Sequence, residues 1–223
     1  IQPGALRLTD LRRIVRSEAS VLLDPNSRTN VDAAEKTIEN IVSKGHTVYG
    51  INTGFGMLAK TRIEPSELSD LQRNLVLSHS AGTGLLLEDN VVRLIIALKV
   101  AALARGYSGV RWQVIEALLA LLEHSIHPCI PAKGSVGASG DLAPLAHLAS
   151  ALIGVGEVRH NGKIMAAKDG NNGSIFSNGI PIPAPRMRAN ELKLCPTPRI
   201  APCRFGSLRR ESNEFNDGLM NAK

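Results

Sequence analysis

The sequence predicts a mainly α fold with a few short strands, and three observations carry that expectation. The 223 residues are 43% hydrophobic, enough to bury one substantial core. The apolar residues are mostly Leu, Ile, Val and Ala with only 3% aromatic, which suits packed helices better than a strand-rich sandwich. They also recur at helical spacing as far as Leu152, in stretches separated by glycine and proline.

Taken in order, Thr9 precedes Asp10, Leu11, Ile14 and Val15, an N-cap followed by an apolar face. Asn30 caps a second helix whose Val31, Ala34, Ile38, Ile41 and Val42 share a face and which Gly45 stops. His46 to Ile51 reads as a short strand feeding the loop Asn52-Thr53-Gly54-Phe55-Gly56. Pro65 and Ser66 open a third helix in which Leu68, Leu71 and Leu75 align, so that His79 near its end projects from the buried side. Gly82 and Gly84 close it. Val91 to Arg105 and Val110 to His124 are two strongly apolar helices, the expected core, separated by the stretch from Gly106 to Gly109. Pro128 and Pro131 end the second of these, and Lys133 to Gly140 forms a glycine-rich loop entering a helix through Asp141, Leu142, Leu145, Leu148 and Leu152. Asn161-Gly162, at the centre of Glu157 to Met165, marks a hairpin turn. From about Asp169 the periodicity stops and Gly, Asn, Pro and Arg dominate, so residues 1–168 are expected to form one domain and 169–223 a poorly structured tail.

The net charge of +6 is concentrated at one end: from Arg186 onward eight Lys or Arg stand against four acids. The remainder is close to balanced and carries no nucleic-acid footprint. Cys129, Cys195 and Cys203 form no C-x-x-C pair and cannot all be bridged, which points to a reducing, cytoplasmic setting. The chain opens on Ile1 without a charged and apolar leader, and its most apolar stretch, Leu94 to Ala104, contains Lys99 and is too short to span a bilayer, so no membrane partner is expected. The histidines show no metal-ligand spacing such as H-E-x-x-H, so no metal is expected either.

The chemistry concentrates in Gly134-Ser135-Val136-Gly137-Ala138-Ser139-Gly140-Asp141-Leu142-Ala143-Pro144-Leu145-Ala146-His147. A phosphate loop would need Gly-Lys-Ser or Gly-Lys-Thr, and the order here is Lys133-Gly134-Ser135. A nucleophile elbow would need Gly-x-Ser-x-Gly, but Asp141 occupies the last position. By composition alone, a structural loop remains.

This run closely resembles the signature of the aromatic amino acid lyases. In that family Ala-Ser-Gly cyclises to 4-methylidene-imidazol-5-one, which implies the same for Ala138, Ser139 and Gly140. The Gly140 amide nitrogen would attack the Ala138 carbonyl carbon; that oxygen and the Ser139 hydroxyl would leave as two waters, with Ser139 supplying the methylidene. Gly140 has no Cβ to resist the compressed backbone, and the positive end of the following helix favours electron density on the ring. No external cofactor is implied.

Two further segments resemble the family. In Tyr49-Gly50-Ile51-Asn52-Thr53-Gly54-Phe55-Gly56, the family's tyrosine is the general base, a role the resemblance gives to Tyr49. A phenol serves at neutral pH only where positive charge or close donors assist it. Asn74 to Gly82 resembles the selectivity region, and Ser78-His79 resembles its histidine-specific branch, which implies that His79 contacts substrate. Gln72 and Arg73 are assigned to packing and surface, and His147, on the post-loop helix and part of the resemblance, to a structural role.

The resemblance runs from about Pro3 to about Met165. It implies the amino-terminal portion of a truncated fumarase/aspartase-like fold, an ammonia-lyase acting on L-histidine to give trans-urocanate, and a homotetramer when complete. Tyrosine ammonia-lyase, aminomutase and a non-catalytic remnant are the alternatives. The family's Asn-Gly-Thr-Gln segment and its later tyrosine and carboxylate-binding arginine are not found in this sequence.

Overall fold

The computed structural model describes residues 1–49, 51–53, 68–137 and 140–168. The predicted tail 169–223, the glycine loop and helix start within 54–67, and Ala138 and Ser139 lie outside the described residues. Among the described residues six helices and five short strands occur, the mainly α architecture expected.

Helix α1 spans Leu8–Val15 and begins before Thr9. Its first turn is fixed from Asp10, whose Oδ2 accepts the Arg7 amide at 3.0 Å, so Arg7 takes the cap position. Helix α2, Ser27–Ser43, likewise starts ahead of Asn30. Asp24 accepts the Asn26 amide through Oδ1 at 2.9 Å and the Ser27 amide through its carbonyl at 3.0 Å, and that turn launches the helix right after Pro25. Gly45 follows α2 at φ 68°.

The strand expected at His46 to Ile51 is a turn. The Asn52 amide nitrogen donates to the His46 carbonyl at 2.7 Å and its Oδ1 accepts the Val48 amide at 2.8 Å. Val48 O also accepts the Ile51 amide, and this closed side-chain turn displaces any ladder.

Helix α3, Leu68–His79, runs into strand β1, Thr83–Leu86. Helices α4, Asp89–Leu103, and α5, Trp112–Glu123, match the two apolar stretches and pack on each other. They bury Val92, Ile96, Val100, Ile115, Leu118 and Leu121, each contributing about 2 kcal/mol of apolar transfer free energy. Helix α1 packs on α4, and Ile14 joins the same cluster. The turn between α4 and α5 fits under α2: a Cβ on Gly106 would stand 2.7 Å from the Asn30 backbone.

Strand β2, Ile126–Pro128, and strand β3, Pro131–Lys133, fall where the prolines predict only an end to helix. Strand β3 pairs antiparallel with β1, Thr83 opposite Lys133 and Leu86 opposite Pro131. After helix α6, Leu142–Leu152, strands β4, Glu157–His160, and β5, Lys163–Ala166, form the expected hairpin, and β2 joins it in the order β2-β4-β5. No helix among the described residues is long and apolar enough to cross a membrane.

Candidate active site

Helix α6 organises the site because the tripeptide loop leads directly into its first turn. Asp141 is the N-cap residue, and Pro144 lies in the first turn, where no intrahelical donor is needed. The Asp141 carboxylate makes no capping bond, and its buried Oδ1 has no hydrogen-bond partner among the described residues. Gly140 sits at φ 100°, and no described residue lies within 4 Å of the place a Cβ would occupy. The partial positive charge of the helix start therefore faces the end of the tripeptide.

One face of α6 fastens the neighbouring chain. Ala143, His147 and Ser150 fall at i, i+4 and i+7; His147 and Ser150 bind the segment that follows α3, and Ala143 lies beside Gly134, just after β3. Gly134, at the start of the loop, packs so closely that an added Cβ would lie 3.0 Å from Gly82 Cα and 3.2 Å from Ala143 Cβ. His147 Nε2 accepts the Gly82 amide at 3.0 Å, which places the ring proton on Nδ1, and burial lowers the histidine's pKa from its ordinary value. The Ser80 hydroxyl donates to Val76 O at 2.9 Å, so in the 2.7 Å contact between the two hydroxyls Ser150 is the donor and Ser80 the acceptor.

His79 ends α3 immediately before that fastened segment. It is half-buried rather than enclosed, and its Nδ1 donates to the Leu75 carbonyl at 2.8 Å, turning the ring back along its own helix. Ser78 donates to the same carbonyl at 3.0 Å. With Nδ1 committed as donor, Nε2 of the neutral ring is the acceptor available to a ligand.

Tyr49 stands on a separate element, the Asn52 turn after α2, and is 63% exposed. Thr53, at the far side of that turn, is buried. The structure thus brings the His79 segment together with both flanks of the tripeptide, while Tyr49 is presented from another loop. Gln72 and Arg73 are exposed, as expected.

His147 has a packing role, as expected, but its hydrogen bond to Gly82 was not anticipated, nor were the Ser80–Ser150 contact and the part of Asn52 in shaping the Tyr49 turn. A legible signal for the first two exists: His147 and Ser150 are polar positions in line with Ala143 on an otherwise apolar helix.

Comparison with known proteins fits this geometry. Residues 6–173 match the aromatic amino acid lyase family. The chain is 53% identical over 170 residues to a histidine ammonia-lyase of Idiomarina loihiensis, an alignment covering 76% of this chain and 33% of that protein. The crystal structure of histidine ammonia-lyase from Trypanosoma cruzi is 35% identical with a TM-score of 0.68, over 74% of this chain and 32% of the other. Tyrosine aminomutase from Streptomyces globisporus is 35% identical, also with a TM-score of 0.68, over 74% and 31%. The chain spans about a third of the length of the curated relatives it matches.

Proposed function

The chain belongs to the aromatic amino acid lyase family, and on that premise we propose that it is the amino-terminal part of a histidine ammonia-lyase, which eliminates ammonia from L-histidine to give trans-urocanate. The observation that carries the reading is the tripeptide Ala138-Ser139-Gly140 at the mouth of α6, with the His79 segment fastened to the same helix. Residues 1–168 form the lyase portion in this reading, which also places the complete enzyme in the cytoplasm as a homotetramer.

The residues present suit a 4-methylidene-imidazol-5-one made from the tripeptide. No described residue crowds the Cβ side of Gly140, and the chain ahead of the tripeptide is anchored through the Gly134 contacts and the β1–β3 pairing. When formed, the ring supplies the electron sink that lets ammonia leave an α-amino acid without an added cofactor. The chain's own residues do the remainder. Tyr49 takes the β-proton, and the exposed placement of its side chain leaves it reachable by substrate. His79 Nε2 accepts a hydrogen bond from the substrate imidazole N–H, and its Nδ1 bond to Leu75 O holds the ring for that contact. The helix start at Gly140 and Asp141 stabilises negative charge gathered at the tripeptide.

Intact mass tests the first step. Cyclisation removes two waters, about 36 Da, and Ser139→Ala is expected to abolish the deficit. A mass equal to that of the unmodified sequence would overturn maturation in this chain. The substrate is tested by joining the chain to the carboxy-terminal two thirds of a histidine ammonia-lyase relative and following urocanate, coumarate and β-amino acid together. Urocanate is the expected product, and in that hybrid His79→Leu is expected to lower histidine turnover at least tenfold, about 1.4 kcal/mol. Coumarate or a β-amino acid instead would replace this reading with tyrosine ammonia-lyase or aminomutase.

A further inference from the structure

Helix α6 carries the tripeptide at its start and, one to two turns later, the two side chains that hold the end of α3. The segment so held, Ser80 to Gly82, follows His79 directly and continues into β1, which pairs with the β3 strand leading to the tripeptide. Chain leaving His79 and chain entering the tripeptide are therefore joined twice, by the short ladder and by α6. The ladder is weak: it is two-stranded, and its register shifts between Thr83 and Leu86. Most of the constraint on Ser80 to Gly82 falls to α6.

We propose that His147 is a positioning residue for the candidate active site: by accepting the Gly82 amide on Nε2, it sets the distance and orientation of His79 relative to Gly140 and the start of α6.

The geometry favours His147 over simple packing in three ways. Its partner is a backbone amide rather than a mobile side chain, so the bond fixes the path of the main chain. The ring lies flat against that backbone: a Cβ built on Gly82 would meet His147 Nε2 at 3.0 Å and Cδ2 at 3.3 Å, so position 82 admits no side chain without moving the ring. Finally, Ser150 donates to Ser80 one turn further along α6, so the two bonds bracket Ala81 and prevent rotation about either one. The inference rests on the reading of His79 as the residue that meets substrate, but the hydrogen bond and its consequence for His79 can be measured without any turnover.

The experiment uses the 223-residue chain labelled with nitrogen-15. In the unsubstituted protein, the expected result is an imidazole in which His147 Nε2 is the unprotonated nitrogen and shows scalar coupling across the hydrogen bond to the Gly82 amide. Finding Nε2 protonated at neutral pH would overturn the proposal directly, whatever any variant does. His147→Leu, which keeps bulk and removes the acceptor, is expected to speed exchange of the Gly82 amide at least tenfold and to shift the His79 ring resonances, with amides in the middle of α4 and α5 unchanged. His147→Gln places an oxygen near the Nε2 position and is expected to restore both the slow exchange and the His79 resonances. Unchanged Gly82 exchange or unchanged His79 resonances in His147→Leu would overturn the proposal; so would a His147→Gln protein that folds with the wild-type α4 and α5 protection but fails to recover His79. A chain that lacks the two-water mass deficit, or a hybrid that turns over no histidine, bears on the proposed function and leaves these measurements decisive for His147.

Discussion

Arg93 is a buried cation around which three chain segments end. Its Nε donates to Ile14 O at 3.0 Å, one Nη to Leu122 O at 3.0 Å and the other to Ala19 O at 3.3 Å. Ile14 and Leu122 lie in the last turns of α1 and α5, where their carbonyls also accept the Ser17 amide at 3.1 Å and the Ser125 amide at 3.4 Å, so the guanidinium adds a charged donor at the negative ends of two helix dipoles. Burial lowers the pKa of Arg93, but the three acceptors keep the charge in place. The planar fork matters because a lysine offers a point charge and cannot satisfy three divergent acceptors. Arg93→Met is therefore expected to cost about 3 kcal/mol in urea denaturation, since it removes three charge-assisted hydrogen bonds, including the donor to the Ala19 carbonyl. Arg93→Lys is expected to recover only part of that loss. A cost below about 1 kcal/mol for Arg93→Met would mean that water takes over the carbonyls.

Elements differ in how far local sequence determines them, and the turns make the difference measurable. Asn161 and Gly162 both have positive φ, 49° and 73°, as the primed turn of a two-residue hairpin requires. A Cβ at Gly162 would touch nothing within 4 Å, so Gly162→Ala is expected to cost only the backbone strain, about 1 kcal/mol. Gly106, at φ 78°, would in addition drive a Cβ to 2.7 Å from Asn30 backbone atoms that cannot step aside. Gly106→Ala is therefore expected to cost clearly more than Gly162→Ala in the same urea titration; equal costs would show that α2 yields readily. The hairpin, α4, α5 and α6 were legible because periodicity and turn chemistry lie within their own segments. Strands β1, β2 and β3 were not, because strands of three or four residues form through partners far along the chain, Thr83 with Lys133 and Ile126 with His160. Pro128 argues against a strand in sequence, yet it is tolerated because β2 pairs on one side only. The tripeptide and His79 were proposed from a long motif and a helix phase. The bond from Gly82 to His147 was not, since it spans 65 positions and uses a donor with no side-chain identity.

At the scale of the whole molecule, two partly buried histidines sit at joints between elements and tie stability to pH. His127 on β2 lies 3.6 Å through Nδ1 from Asp89 at the start of α4, and Asp89 also binds Arg159 of β4. Burial pushes the His127 pKa below the ordinary 6.5; Asp89 works against that shift, while Arg93, Arg159 and His160 add to it. His147, at the joint of α6 with the end of α3, is lowered by burial alone. The sign follows from linkage. Below 6.5 the unfolded chain takes up protons that the folded joints resist, so the stability from both histidines is fully present above about 6.5 and is lost as pH falls through their lower folded values. The unfolding free energy is expected to decline from pH 7 towards pH 5, with each histidine able to contribute a slope of at most about 1.4 kcal/mol per pH unit. His147→Gln removes one of the two titrating groups while keeping an acceptor, so its profile should fall less steeply over the same interval. Urea midpoints at half-unit steps of pH read this directly. A flat profile between pH 7 and 5, or a slope in His147→Gln identical to that of the unsubstituted chain, would show that these joints open to solvent before the molecule unfolds.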